Sequence, residues 1–366
     1  MFVYIFILVV LLFGGILEVS GALNKNSHKI LYLVIVLIFW LLSFIRWETG
    51  TDWDSYLSFF QNNNYIDDFF QSGIEPLFAL INYLVKSFTD QYWVLLLVIG
   101  GIIYSLSAPT IYKYSPLPIV SLLVYLMLRK ADIFFVRESI ALAFCLFSTK
   151  FIINRELVPF AICILLGFFF HRTIVVFIPA YYLFNLKLDP KKCVFLILII
   201  AIIVIAVHDR ISSSLSQAAS LFGDYFLYKT EHYIEDDDNY GGGQSAILSA
   251  LPRGLFNRGV LLAMILYAVS RNKQNEILRG FANLYIVSII IYITLMPLSI
   301  VLSRLANAYD IFCILALGYF IKSVPRKNRQ FVFLLFYIYM ATRFVFGTLL
   351  GSYSAELVPY KTIFSM

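Results

Sequence analysis

Twelve apolar stretches recur along this chain, near residues 2–18, 30–45, 92–112, 116–131, 136–152, 157–171, 173–187, 193–208, 255–270, 280–298, 303–321 and 331–350, with short polar segments between them. A run of about 17–25 apolar residues crosses the hydrocarbon of a bilayer as a helix, and shorter runs cross where flanking side chains reach back to the interface. Backbone amides in hydrocarbon must pair within their own segment, so long apolar runs of this kind fold as helices. Composition agrees, since 61% of the residues are hydrophobic, 14% are charged and the mean hydropathy is +0.83, far from soluble globular usage. The expectation is an all-α polytopic membrane protein of about twelve transmembrane helices, with residues 1–366 forming a single integral-membrane domain. The first stretch has no basic segment before it and no small-residue cleavage site after it, so it reads as a retained helix and not as a signal peptide.

Several chemistries are disfavoured at once. Cys145, Cys163, Cys193 and Cys313 all fall in or at the end of apolar stretches, with no CxxC and no histidine at ligand spacing, so they read as packing residues. Gly241, Gly242 and Gly243 are followed by Gln244 and not by Lys-Ser/Thr, which suits a flexible loop better than a phosphate-cradling one. No nucleotide fingerprint is present, and neither a cofactor nor a nucleic-acid partner is expected.

Orientation follows from the basic residues, because cytoplasmic loops carry the excess of Lys and Arg. With residues 19–29 inside, the inner loops hold fifteen of the 28 basic residues, ten of them Lys; of the thirteen left outside, nine are Arg, namely Arg46, Arg129, Arg137, Arg172, Arg210, Arg253, Arg258, Arg304 and Arg343. A planar guanidinium suits bidentate contact with phosphate or carboxylate, so binding chemistry is expected on the outer face, in segments 46–91 and 209–254. This orientation requires residues 75–88 not to cross; with Pro76 in the first turn and Asn82 and Lys86 one turn apart, they suit an amphipathic helix in the outer interface. The acidic run from Glu231 to Asp238 reads as a mobile loop, with the aromatic rings of Tyr225, Tyr228, Tyr233 and Tyr240 nearby in sequence.

The segment "SFIRWETGTDWDSY" (residues 43–56) then faces outward. Gly50 permits a tight turn, Thr51 can cap a helix, and Asp54 three residues later completes a capping box. Asp52 would fall in the first helical turn, with Tyr56 one turn on. Asp52 and Asp54 also form a DxD pair, which some transferases use to hold a metal, although residues two apart point away from each other on a helix; no metal is expected, and these two are the ligands if there is one. Asp310, about six residues into its apolar stretch, calls for a cationic partner, with Arg304 or Arg343 in reach.

These residues resemble the EpsG family of polysaccharide polymerases, a branch of the Wzy-type enzymes. The matching pieces are Arg46, Gly50, Thr51, Asp52 and Tyr56, "EPLF" from Glu75, "VRESIALA" around Arg137, "FFHRTIVVFIP" around His171, "SRLANAYD" around Arg304 and "VPYK" ending at Lys361. Glu138 stands where the family is expected to have Gln. The resemblance implies a GT-C-like glycosyltransferase in the bacterial plasma membrane. It would join oligosaccharide repeat units carried on undecaprenyl pyrophosphate, with a chain-length regulator and a flippase of the same pathway as further partners.

Such a reaction needs a base for the acceptor hydroxyl and cations for the leaving pyrophosphate. Asp52 is the expected base, with His171 second; Arg137 joins them as catalytic. Arg46, Tyr56, Glu75, Arg172, Arg210, Arg253 and Arg304 are expected to bind pyrophosphate or sugar. Two rivals need comparable surfaces: a flippase of lipid-linked oligosaccharides and a membrane O-acyltransferase. Against the flippase stand the absence of an obvious internal repeat and the clustering of charges on one face; against the acyltransferase stands a histidine that faces outward.

Overall fold

The structure, a computed structural model, describes all residues except 72, 135–136, 188, 190–191, 204–242, 298, 352–353 and 365–366. It is helical throughout the described residues, and each of the twelve apolar stretches carries helix. Five helices are long and apolar enough to cross a membrane: Phe2–Ser20, Lys25–Ile45, Tyr92–Tyr114, Glu276–Leu295 and Arg326–Leu349. A sixth span results if Arg304–Asp310 and Cys313–Ser323 count as one. The remaining stretches form shorter or more polar helices, which is where the structure departs from a simple count of twelve. The described chain falls into two compact units, Met1–Ile178 with Ile314–Met366, and Pro179–Cys313.

The first unit begins with α1 (Phe2–Ser20), which stops at Gly21. That residue adopts φ +75 and donates its amide to Glu18 O, a left-handed stop that glycine reaches without a Cβ penalty. Asn24 caps α2 (Lys25–Ile45) by accepting from Ser27 N at 2.8 Å. Then follow α3 (Trp53–Asn62), α4 (Ile66–Gln71), α5 (Pro76–Lys86), α6 (Tyr92–Tyr114), α7 (Pro118–Arg129), α8 (Arg137–Asn154) and α9 (Leu157–Phe168).

Two sets of contacts define the ends of this bundle. At one end the buried Glu18 carboxylate accepts from Ile119 N at 3.0 Å and Val120 N at 2.8 Å, and its Oε1 lies 2.6 Å from His28 Nε2. An anion at the open amides of α7 satisfies groups that a helix start otherwise leaves unpaired. Glu18→Ala should therefore lower stability by roughly 1–3 kcal/mol, the cost of stranding buried donors, read as a fall in the thermal unfolding midpoint in detergent. At the other end Tyr4 Oη donates to Leu357 O at 2.5 Å and Tyr360 Oη donates to Leu42 O.

The short helices α3 and α5 lie against α6 and α8 through an aromatic core. Trp53, Phe60, Phe78, Tyr92 and Phe170 are buried in it beside Ile99 and Ile140, and Trp53 meets Trp47 and Tyr92 edge-on with ring centroids 5.4 and 5.0 Å apart. Such pairs favour one relative placement by about 0.5–1.5 kcal/mol each beyond simple burial. Helix α5 has Pro76 at its first position, as expected. It differs in that Asn82 is fully buried, donating to Phe78 O, while Lys86 turns to Asp90 and Gln61 O.

In the second unit, Asn275 caps Glu276–Leu295 by accepting from Leu278 N. The buried Asn283 amide donates to the carbonyls of Leu183, Phe184 and Leu186. All four cysteines are free and buried.

Candidate functional site

The loop after α2 is built around Arg46, which is 4% exposed. Its Nε donates to Ser43 O at 3.2 Å, its Nη1 to Thr49 O at 2.8 Å, and its guanidinium carbon sits 5.1 Å from the Trp53 ring centre. Burial pulls this guanidinium below its ordinary pKa, opposed by Tyr92, Tyr360, Tyr104 and Asp52, and it stays cationic at neutral pH. Through these contacts Arg46, expected from the sequence to bind substrate, also frames the loop. Gly50 is required twice over, since it adopts φ +121 and a Cβ there would stand 2.8 Å from Arg46 Nη1.

The chain's last described segment braces the same loop. Trp47 N donates to Lys361 O at 3.0 Å, Gly50 N to Glu356 O at 2.9 Å, Ile363 N to Ile45 O at 2.9 Å and Lys361 N to Thr49 Oγ1 at 3.2 Å. Lys361 Nζ also pairs with Glu48 at 2.8 Å. The first and last sequence motifs, more than 300 positions apart, thus form one structure.

Helix α3 starts one residue later than the sequence suggested. Asp52, and not Thr51, occupies its N-cap, and neither Asp52 nor Asp54 makes a capping bond through its side chain. The Asp52 carbonyl accepts from Tyr56 N at 3.2 Å, while the exposed carboxylate accepts no hydrogen bond among the described residues. It opens on a recess of about 190 Å³, mouth included, shared with Arg46, Thr51, Trp53, Tyr56, Tyr92 and Phe134.

Three further candidates converge beside it. Arg137, the first residue of α8, donates from Nε to Tyr56 Oη at 3.1 Å and from Nη1 to Glu75 Oε2, where Glu75 is the N-cap of α5. The guanidinium also lies 5.8 Å from the Tyr56 ring centre and 6.0 Å from that of Phe78. Burial raises the Tyr56 phenol pKa and Arg137 opposes that shift. Glu75 and Tyr56 therefore fix the plane of a cation whose Nη2 has no partner among the described residues, and whose side chain remains 25% exposed.

His171 and Arg172 follow α9. Their loop is pinned by Leu77 N, which donates to Phe169 O at 3.1 Å in the first turn of α5, two residues from Glu75. His171 is half-buried with Nδ1 2.6 Å from Thr173 Oγ1, and Arg172 is exposed.

In the second unit, Arg253 and Arg304 are both exposed. The partner of Asp310 is Arg258, neither Arg304 nor Arg343: Arg258 Nη2 donates to Asp310 Oδ2 at 2.6 Å, and Ser288 Oγ donates to Oδ1 at 2.7 Å. Arg258 also stacks on Tyr292, 3.8 Å from its ring centre. Arg210 and the tyrosines at 225, 228, 233 and 240 lie outside the described residues. Sequence reasoning missed the Glu48–Lys361 brace and did not consider Asp132, although a carboxylate between two apolar stretches was a usable signal.

An all-helical protein with membrane-length helices and a cluster of acid, phenol and guanidinium groups at one end is thereby defined. The family model of the EpsG family matches residues 29–362, nearly the whole chain, and the protein belongs to that family of Wzy-like polysaccharide polymerases. Neither the curated proteins nor the solved structures yield a match to the chain.

Proposed function

We propose that this protein joins oligosaccharide repeat units carried on undecaprenyl pyrophosphate, at the outer face of a bacterial plasma membrane, as a twelve-span glycosyltransferase of GT-C-like architecture. The donor is the growing chain on its lipid, and the acceptor is the non-reducing end of the next lipid-linked unit. Asp52 takes the proton of the acceptor hydroxyl as that oxygen bonds to the anomeric carbon. The carbon–oxygen bond to pyrophosphate breaks, and the charge left on the phosphate is met by Arg137. Glu75 and Tyr56 hold Arg137 in one plane, so little reorganisation is needed when that charge develops. Arg172 supplies further cationic surface for the carrier.

The observation that carries this reading is the juxtaposition, through Tyr56, of an uncommitted carboxylate and a fixed guanidinium. Deleting the gene tests it. The mutant surface should carry single repeat units in place of long chains, and complete loss of surface glycan would favour a flippase instead.

Orientation is tested separately. Reporter fusions after Lys29, Lys192 and Lys327 should read cytoplasmic, whereas fusions near Gly50 and at the C-terminus should both read outside, as their hydrogen-bonded pairing requires. A cytoplasmic reading near Gly50 would reverse the assignment of the site to the outer face.

A further inference from the structure

The connection between α7 and α8 holds the least ordinary backbone among the described residues. Lys130, Ala131 and Asp132 have φ of +55, +52 and +52, three successive non-glycine residues in the left-handed region. There Cβ crowds the following carbonyl oxygen, and a run of such residues persists only where its surroundings over-determine it. Here they do. The buried Asp132 carboxylate accepts from Tyr125 Oη at 2.5 Å through Oδ2 and from Ser139 Oγ at 2.8 Å through Oδ1, with Arg129 Nη2 3.5 Å from Oδ1. Tyr104 Oη, on α6, donates to Ala131 O at 2.8 Å.

The donors of that carboxylate come from both sides of the turn. Tyr125 and Arg129 lie at the end of α7, whereas Ser139 lies in the first turn of α8, two residues after Arg137. Ser139 is buried as well, and a hydrogen bond to a carboxylate is among the stronger ones. Asp132 therefore clamps the start of α8 to the end of α7. That start carries Arg137: the helix sets where its side chain is rooted, and Tyr56 and Glu75 set the plane of its guanidinium. The same turn delivers Phe134 to the wall of the recess onto which Asp52 opens, with its ring centre 6.2 Å from that of Tyr360. Burying a carboxylate on a left-handed run is unfavourable by itself, and strain of this kind gathers where a site must hold one geometry.

We infer that Asp132 is a positioning residue for Arg137: through Ser139 it fixes the first turn of α8, and with it the place from which the guanidinium meets the departing phosphate. The inference rests on the polymerase reading above. Asp132 itself takes no proton and touches no substrate, since its oxygens are engaged by Tyr125 and Ser139. The charge that Arg137 meets appears only as the carbon–oxygen bond breaks, so a loss of placement acts on turnover and leaves ground-state binding largely intact.

Ser139→Ala removes the tie to α8 and leaves the Tyr125 bond in place, so the variant should fold. In purified protein supplied with lipid-linked repeat units its kcat should fall roughly 10- to 100-fold, the effect of a small misplacement of a reacting group, with KM little changed; Asp132→Ala should lose at least as much. Coupling to Arg137 is the readout that a merely structural role would not move. In an Arg137→Lys background, where the guanidinium is already gone, Ser139→Ala should lower the rate little further. Glu18→Ala, at the other end of the bundle, is the control: it lowers the unfolding midpoint and should keep the parent kcat. A parent-like kcat in Ser139→Ala would overturn the inference. So would equal fold-losses in the parent and Arg137→Lys backgrounds, or a Glu18→Ala protein as slow as Ser139→Ala, which would assign the loss to stability alone. The parent is assayed alongside: an inactive parent contradicts the polymerase reading itself, whereas an active parent with an equally active Ser139→Ala contradicts the role of Asp132 alone.

Discussion

Asp52→Asn should abolish polymerisation while the protein still accumulates in the membrane, and Asp54→Asn should leave long chains. The two residues are both aspartates, two positions apart, but they occupy different places. Asp52 is the N-cap of α3, its side chain makes no capping bond, and its carboxylate opens on the recess next to Tyr56. Asp54 lies exposed in the first turn, where its charge favours the helix dipole by about 0.3–1 kcal/mol. Loss of a positioned general base lowers a rate by about 100- to 10,000-fold, enough to collapse long chains to single units at cellular enzyme levels. The measurement is surface-glycan length on a gel at matched protein abundance. Equal and total loss from both substitutions would point to a shared cation at the Asp52–Asp54 pair, and a chelator added to purified protein would then reproduce it.

Arg137→Lys should be nearly as damaging although it keeps the charge. The arginine fork donates to Tyr56 and to Glu75 from different nitrogens and leaves a third for a ligand. An ammonium on a flexible stem makes a point contact, and with Glu75 adjacent it would settle on the carboxylate. The stability cost is small, about 0.5–1.5 kcal/mol for the lost bond to Tyr56. The rate should nevertheless drop by roughly 100- to 1,000-fold, as when one donor is removed from a transition state. Tyr56→Phe should do less, because the guanidinium keeps its pairing with Glu75. Near-normal chain length from Arg137→Lys would reduce this residue to a structural anchor.

How much of this was legible in the sequence depends on the range of the interaction concerned. Apolar periodicity and Pro76 located the helices because those signals are local. The start of α3 was misjudged by one residue because Gly50 at φ +121 lets Trp53 N turn back to Gly50 O at 3.4 Å, so the α-helical ladder first closes from Tyr56 N to Asp52 O. Asp310 drew the wrong partners because Arg304 is its neighbour in sequence. Its true partner, Arg258, and its second donor, Ser288, sit at matching heights on two helices joined by a short turn, thirteen residues before Arg271 and twelve after Glu276. Resemblance flagged both "VPYK" and the Gly-Thr-Asp loop, but their mutual pairing depends on contacts across the whole chain. Arg46 shows what residue type alone does not reveal: an arginine beside a charged motif suggested ligand binding, and only the fold shows that its Nε and Nη1 also donate to the carbonyls of Ser43 and Thr49.

The central claim is tested most directly by reconstituting purified protein in liposomes with one synthetic lipid-pyrophosphate-linked repeat unit and resolving the glycan products by length. A ladder of multiples of the unit, with lipid pyrophosphate released in step and both absent from the Asp52→Asn protein, is the predicted result. Substrate that crosses the bilayer without lengthening would contradict it.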